Sequence, residues 1–186
     1  MHLLSVATST TVSQFSCLRR NLSVTVDDQL RLYIDGFEIT GLPNVNIWNQ
    51  PDVVDLPCTT RLIAIRGGNL GGAAGILAST DDDYVLTNSS WKCSNISHPG
   101  WEEIDFDDSA WLSAIEYGRN GEGVWGVIPG ISSNAEWIWL RQFTSAQEPM
   151  DNDVYCRKNL GKQLKFHAMG PSIKYVTLKG RGSEKV

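Results

Sequence analysis

Hydrophobic and polar positions alternate along this chain in short bursts. Leu22, Val24 and Val26 take every second position, and Leu30, Leu32 and Ile34 resume the same phase after Asp27-Asp28-Gln29. Period-two alternation turns one side of an extended chain toward a core, so the pattern predicts a strand, a turn or bulge, and a second strand. Asp35-Gly36 closes the second strand, the glycine supplying the positive φ that a tight turn demands. Leu62-Ile63-Ala64-Ile65 is a continuous apolar run instead, as expected of a strand covered on both faces. Residues 75–78, 84–87, 137–140 and 154–156 read as further short strands. No window of about 12 residues sustains the i, i+3, i+4, i+7 spacing of an amphipathic helix, so long helices are not expected. At most, Asp107-Asp108-Ser109-Ala110-Trp111 caps a single helical turn.

Many short strands between clusters of Gly, Pro, Asn and Asp predict an all-β sandwich or jelly roll, which hides strand edges in two packed sheets. No fixed-period repeat occurs. Beyond Leu160, residues 163–166 and 174–178 form either a hairpin across Gly170-Pro171 or an extension that a partner orders. At 186 residues, 41% hydrophobic and 20% charged, the chain is globular in composition. A single domain of that length buries roughly 70% of the surface its unfolded form exposes. No run approaches the roughly 18 apolar residues of a membrane span. The opening seven residues are too short for the apolar core of a signal peptide, so the start is expected to be truncated or its leader removed.

Cys17, Cys58, Cys93 and Cys156 are even in number and lack C-x-x-C spacing, which favours two disulfides over a zinc or redox site. Four cysteines allow three connectivities. Three sequons, at Asn21, Asn88 and Asn95, point to the same oxidising compartment, and together they predict a secreted, extracellular glycoprotein. The competing reading is a cytosolic protein with buried free thiols. Charge is split along the chain. Residues 1–156 carry 8 Lys and Arg against 20 Asp and Glu, whereas residues 157–186 carry 8 against 1. An acidic body with a basic tail suggests an arm that docks on an acidic neighbour or an anionic polymer; a solvated tail is the plain alternative.

Candidate chemistry narrows quickly. The glycine-rich stretch 67–75 lacks G-x-G-x-x-G spacing and runs into another apolar strand, so a tight loop is expected in place of a dinucleotide site. Only His2, His98 and His167 are available as bases, none in a recognisable nucleophile setting. Acidic pairs at 27–28, 81–83, 102–103, 107–108 and 151–153 leave a glycosidase pair open, but their place in turns favours caps and solvated loops. Calcium is the one cofactor left open, without EF-hand spacing. Seven tryptophans are the strongest functional signal, since flat indoles stack on sugar faces. Trp91, Trp111, Trp137 and Trp139 stand in or beside apolar stretches and are expected in the core, whereas Trp48, Trp101 and Trp125 stand in Gly-, Pro- and Asn-rich loops. Core packing competes for that loop set too.

Trp91-Lys92-Cys93, Pro99-Gly100-Trp101 and Phe106-Asp107-Asp108-Ser109-Ala110-Trp111, in that order, resemble the galactose-binding-like jelly roll. That fold occurs in accessory sugar-binding domains of β-galactosidases and α-L-rhamnosidases and in related animal extracellular modules. The stretch 24–36 resembles its strand pair ending in a turn, 62–78 its strand, glycine-rich loop and returning strand, and 137–139 its closing strand. The resemblance spans about residues 22–157. It implies an N-terminal extension over 1–20, a galactose-binding-like β-sandwich over 21–158, and a basic tail or hairpin over 159–186. It also implies that the FDDSxW stretch is structural, and it pairs Cys93 with Cys156 and Cys17 with Cys58. The expected function is a non-catalytic, lectin-like or adhesion module. Trp48, Trp101, Arg119 and Trp125, in loops at one end of the sandwich, would meet a glycan or glycoprotein. The alternative is a self-assembling structural subunit whose basic tail docks on the acidic body of the next copy. Neither nucleic acid nor a membrane is expected as a partner.

Overall fold

The structure is a computed structural model that describes residues 18–140 and 152–161. Residues 1–17 of the expected N-terminal extension, Cys17 among them, and residues 162–186 of the basic tail, with its expected hairpin, lie outside the described residues. Eleven strands form two sheets, and among the described residues there is no helix. Strands β1 (Arg20–Asp27), β4 (Asp52–Leu56), β6 (Gly75–Thr80), β9 (Ile115–Arg119) and β10 (Glu136–Trp139) make a five-stranded sheet in the order β4-β1-β6-β10-β9. Strands β2 (Gln29–Ile34), β3 (Phe37–Glu38), β5 (Leu62–Gly68), β7 (Lys92–Ser94), β8 (Leu112–Ser113) and β11 (Asp153–Asn159) make a six-stranded sheet in the order β3-β2-β5-β11-β7-β8. Every pairing is antiparallel, and the two sheets pack as a sandwich.

The alternating stretches supply both walls of the core. Leu22, Val24 and Val26 enter it from β1, and Leu30, Leu32 and Ile34 enter it from β2. These strands do not pair with each other, because the chain passes from one sheet to the other between them. At the crossing the Asp28 N–H donates to the Gly68 carbonyl at 2.9 Å, and its carboxylate accepts the Leu70 N–H at 2.7 Å. Trp139 closes the interior from β10, and its ring lies over Gly67 of the facing sheet. A Cβ at that glycine would stand 2.7 Å from Trp139 Cζ3, so no other residue fits without displacing a buried indole.

The apolar run Leu62-Ile63-Ala64-Ile65 is wholly buried, as expected of a doubly covered strand. Ile63 and Ile65 face the interior, while Leu62 and Ala64 lie under Trp101 and Trp111 on the outside. Two local expectations differ from the structure. Residues 84–87 form no strand, only a single bridge between Ser79 and Leu86. Asp82 Oδ1 accepts the Thr80 hydroxyl at 2.9 Å and the Tyr84 N–H at 3.1 Å, which spends the chain on a turn. Residues 107–111 make a turn and not a helical turn: Asp107 Oδ1 takes the Ser109 N–H at 3.0 Å, and the Trp111 N–H donates to the Asp108 carbonyl.

Cys93 and Cys156 stand opposite each other on β7 and β11 and form a disulfide with Cα atoms 4.2 Å apart. The bond joins residues 63 apart in sequence, and closing a loop of that length stabilises the chain by about 4 kcal/mol on chain-entropy arithmetic. Cys58 is disulfide-bonded as well.

Candidate functional site

The outer face of the five-stranded sheet carries an aromatic cluster. Leu77 of β6 and Trp137 of β10 point away from the interior and form its floor, both without solvent exposure. The segment 120–135 folds over them, and Asn120 organises it. Its side chain accepts the Ile128 N–H at 2.7 Å and donates to the carbonyls of Ile128 and Ile131 at 2.9 and 2.8 Å. A buried amide must satisfy both its ends, so these bonds set the path of the loop.

That loop delivers Trp125 onto Trp137, with ring centres 4.5 Å apart and planes 21° from parallel. Tyr117 of β9 lies nearly parallel to Trp125 at 6.3 Å. The sheet beneath makes room, since a Cβ at Gly75 would come within 2.7 Å of Trp137 and 3.3 Å of Trp125. Trp48 joins from the β3–β4 connection and is held there by its carbonyl, which accepts the Thr25 hydroxyl at 2.8 Å. Val124 and Val127 flank the cluster in sequence and are more than 70% exposed. Along the β9–β10 edge, Arg119 pairs with Glu136 at 3.2 Å yet leaves most of its side chain in water.

Asp27 fixes the central indole, because its Oδ2 accepts the Trp125 Nε1–H at 2.8 Å. Burial pushes its carboxyl up to about 6, the bond from Trp125 opposes that, and the neighbouring Asp28 carboxyl adds to it. The face therefore combines half-buried rings, an exposed guanidinium and a carboxyl group that titrates near neutrality. It can stack against a flat apolar surface and donate or accept hydrogen bonds at its margin.

Of the four binding residues expected from sequence, Trp48, Trp125 and Arg119 share this sheet. Trp48 and Trp125 come from loops that fold over its outer face, and Arg119 ends β9 at its edge. Trp101 is elsewhere. It is 6% exposed on the outside of the six-stranded sheet, edge-on to Tyr33 and Tyr155 at 5.3 and 5.0 Å, so it has no free ring face to offer and drops out of the set. Tyr117 joins the site without a signal of its own in the sequence pattern, because β9 is short and mixes half-buried and exposed positions, and Asp27 joins it from an acidic pair that the sequence pattern assigns to a turn.

A second feature lies at the β7–β8 edge of the six-stranded sheet. Asn95, Ile96, His98, Phe106, Asp107 and Trp111 line a cleft of about 360 Å³. His98 stands 6.1 Å from both Phe106 and Trp111, which are 5.5 Å from each other. Arg157, almost wholly buried, braces the wall: it pairs with Asp108 at 2.9 Å, donates to the carbonyls of Glu103 and Phe106 at 3.0 and 3.4 Å, and also bonds the Trp101 carbonyl. Ser109, through its hydroxyl and its N–H, holds the Asp107 carboxyl below the usual carboxylate range. Among the described residues, no group of three or more His, Cys, Asp or Glu is placed to hold a metal ion. None contains a helix long and apolar enough to cross a membrane.

These features define a disulfide-bonded β-sandwich with an aromatic outer face and a small lined cleft. An α-L-rhamnosidase from Streptomyces avermitilis is 28% identical in an alignment of 132 residues that covers 63% of this chain and 13% of that protein. The chain thus matches one short region of a much longer relative. No family model matches the chain, and no solved structure does.

Proposed function

We propose that the chain is a non-catalytic carbohydrate-binding domain of the galactose-binding-like jelly-roll kind, working outside the cell. A sugar lies against the outer face of the five-stranded sheet. Trp125 and Trp48 supply the stacking surface, and Arg119 with Glu136 orients hydroxyls at the rim. The observation that carries this reading is convergence: residues from three separate stretches meet over a stacked Trp125–Trp137 pair that Asp27 and Asn120 hold in place. An indole already ordered in this way loses little conformational freedom on binding. The partial similarity to an α-L-rhamnosidase supports a sugar as the ligand, and the Cys93–Cys156 disulfide supports an oxidising compartment.

A glycan array followed by calorimetry on the best hit tests the proposal. Trp125→Ala and Trp48→Ala are each expected to weaken binding by about tenfold or more, which corresponds to about 1.4 kcal/mol, and Arg119→Ala to weaken it less. A silent array, or affinity unchanged in both tryptophan variants, would refute it.

A further inference from the structure

We propose that the cleft at the β7–β8 edge is the internal seat of an N-linked glycan on Asn95, whose first N-acetylglucosamine packs against the partly exposed rings of Phe106 and His98. This goes beyond the proposed sugar-binding face, lies on the other sheet and does not depend on it.

The argument begins with tethering. Asn95-Ile96-Ser97 is a sequon, and Asn95 itself lines the cleft, so a sugar attached to its amide nitrogen starts at the mouth. Attachment makes the contact intramolecular, and an effective concentration in the millimolar range lets a weak sugar contact form. The other two sequons do not share this setting, for neither Asn21 nor Asn88 lines the cleft. Asn21 is the second residue of β1 in the other sheet, and Asn88 lies in the connection between β6 and β7.

Size and chemistry agree. At about 360 Å³ the cleft stands at the small end of small-ligand sites, which run from roughly 300 to 1,000 Å³. It has room for a single pyranose ring and its acetamido group. Phe106 and His98, both partly exposed, offer apolar surface to the sugar's C–H face, with the nearly buried Trp111 behind them. Asp107 and His98 stand among them as partners for hydroxyl and amide groups. Ile96 and Leu112 on the rim are 60% and 65% exposed, apolar surface that a seated sugar would cover. The walls need no rearrangement, because the Cys93–Cys156 disulfide and buried Arg157 already fix them.

The test uses the full chain secreted from a eukaryotic host. Peptide mapping reports occupancy at Asn95, and an endoglycosidase then trims the glycan to its first, isotope-labelled N-acetylglucosamine. The expected result is an occupied Asn95 whose sugar protons show nuclear Overhauser contacts to the rings of Phe106, His98 or Trp111. Ser97→Ala, which deletes the glycan while leaving the cleft walls intact, is expected to melt about 2–4 °C lower. An unoccupied Asn95, a sugar without ring contacts, or equal melting of the trimmed protein and Ser97→Ala would overturn the proposal. Glycan-array binding at the aromatic face is expected to be the same in Ser97→Ala, so the two proposals fail separately.

Discussion

Asp27 offers the sharpest test of how this structure is balanced. Its side chain is 9% exposed at the end of β1, it accepts the Trp125 indole N–H, and it stands beside the Asp28 carboxyl. Burial raises its carboxyl from 3.8 to about 6, with Asp28 adding to the shift and the Trp125 bond opposing it. A folded pKa above the unfolded one means that the native state holds the proton more tightly. The stability that this proton contributes is fully present below about pH 4 and is lost as pH rises through about 6. The loss is at most about 3 kcal/mol, since one pKa unit corresponds to 1.36 kcal/mol. Asparagine reproduces the protonated state: its oxygen can accept from Trp125 and its NH₂ can donate to Asp28. Asp27→Asn is therefore expected to be more stable than the wild type by about 1 to 3 kcal/mol at about pH 7.5, and equal to it near pH 4. Urea unfolding of both proteins at half-unit intervals across that range measures the difference. Indole fluorescence should show an inflection near pH 6 in the wild type that Asp27→Asn and Trp125→Phe both lack. Parallel stability curves, or an asparagine variant weaker than the wild type at neutral pH, would refute the reasoning.

Three further outcomes follow from packing and pairing. Gly67→Ala places a methyl group against Trp139 and is expected to cost about 1–3 kcal/mol in urea unfolding with an unchanged m-value. Arg157→Met leaves the Asp108 carboxylate with the Asn159 amide but no cation, and leaves the loop carbonyls that the guanidinium satisfies without it, at an expected cost of about 3–5 kcal/mol by chemical denaturation. Arg157→Lys recovers only part of that, because an ammonium cannot span the same fork. The double variant Cys93→Ala, Cys156→Ala is expected to lose about 2–4 kcal/mol, checked against wild type with and without reductant; Cys58 is bonded too, so reduction alone should cost more.

The sequence made the core legible and left the sheets undetermined, for a physical reason. Alternation at Leu22, Val24 and Val26 and at Leu30, Leu32 and Ile34 reports which side of each strand meets the interior, and all six residues do. It does not report which sheet a strand joins, and β1 and β2 belong to different ones. The unbroken run Leu62-Ile63-Ala64-Ile65 did carry extra information, because only a strand with loops packed over its outer face can bury every position. Residues 84–87 have strand-forming composition, but Asp82 takes the Tyr84 N–H for a turn, and beyond it only a few bonds to Thr80 and Ala78 join the segment to β6.

Loop tryptophans show where such reading stops. Trp101 and Trp125 both sit among glycine and proline or asparagine, yet one is sealed between Tyr33 and Tyr155 and the other is half-buried on a stacked floor. The ring neighbours of Trp101 come from strands distant in sequence and those of Trp125 from the two strands that flank its loop, so composition next to either tryptophan carries no trace of them. The stretch Phe106-Asp107-Asp108-Ser109-Ala110-Trp111 makes the point within six residues. Asp108 turns inward to Arg157 and Trp111 is nearly buried, in keeping with a structural role. Phe106, Asp107 and Trp111 nonetheless line the cleft. The same Arg157 that holds Asp108 also holds the carbonyl of Phe106, so the structural half of the motif shapes the half that faces solvent. Stability and the shape of the cleft are therefore coupled through one buried cation, and on the proposals above Arg157→Met should disturb the seat of the Asn95 glycan while leaving sugar binding at the aromatic face of the other sheet unchanged.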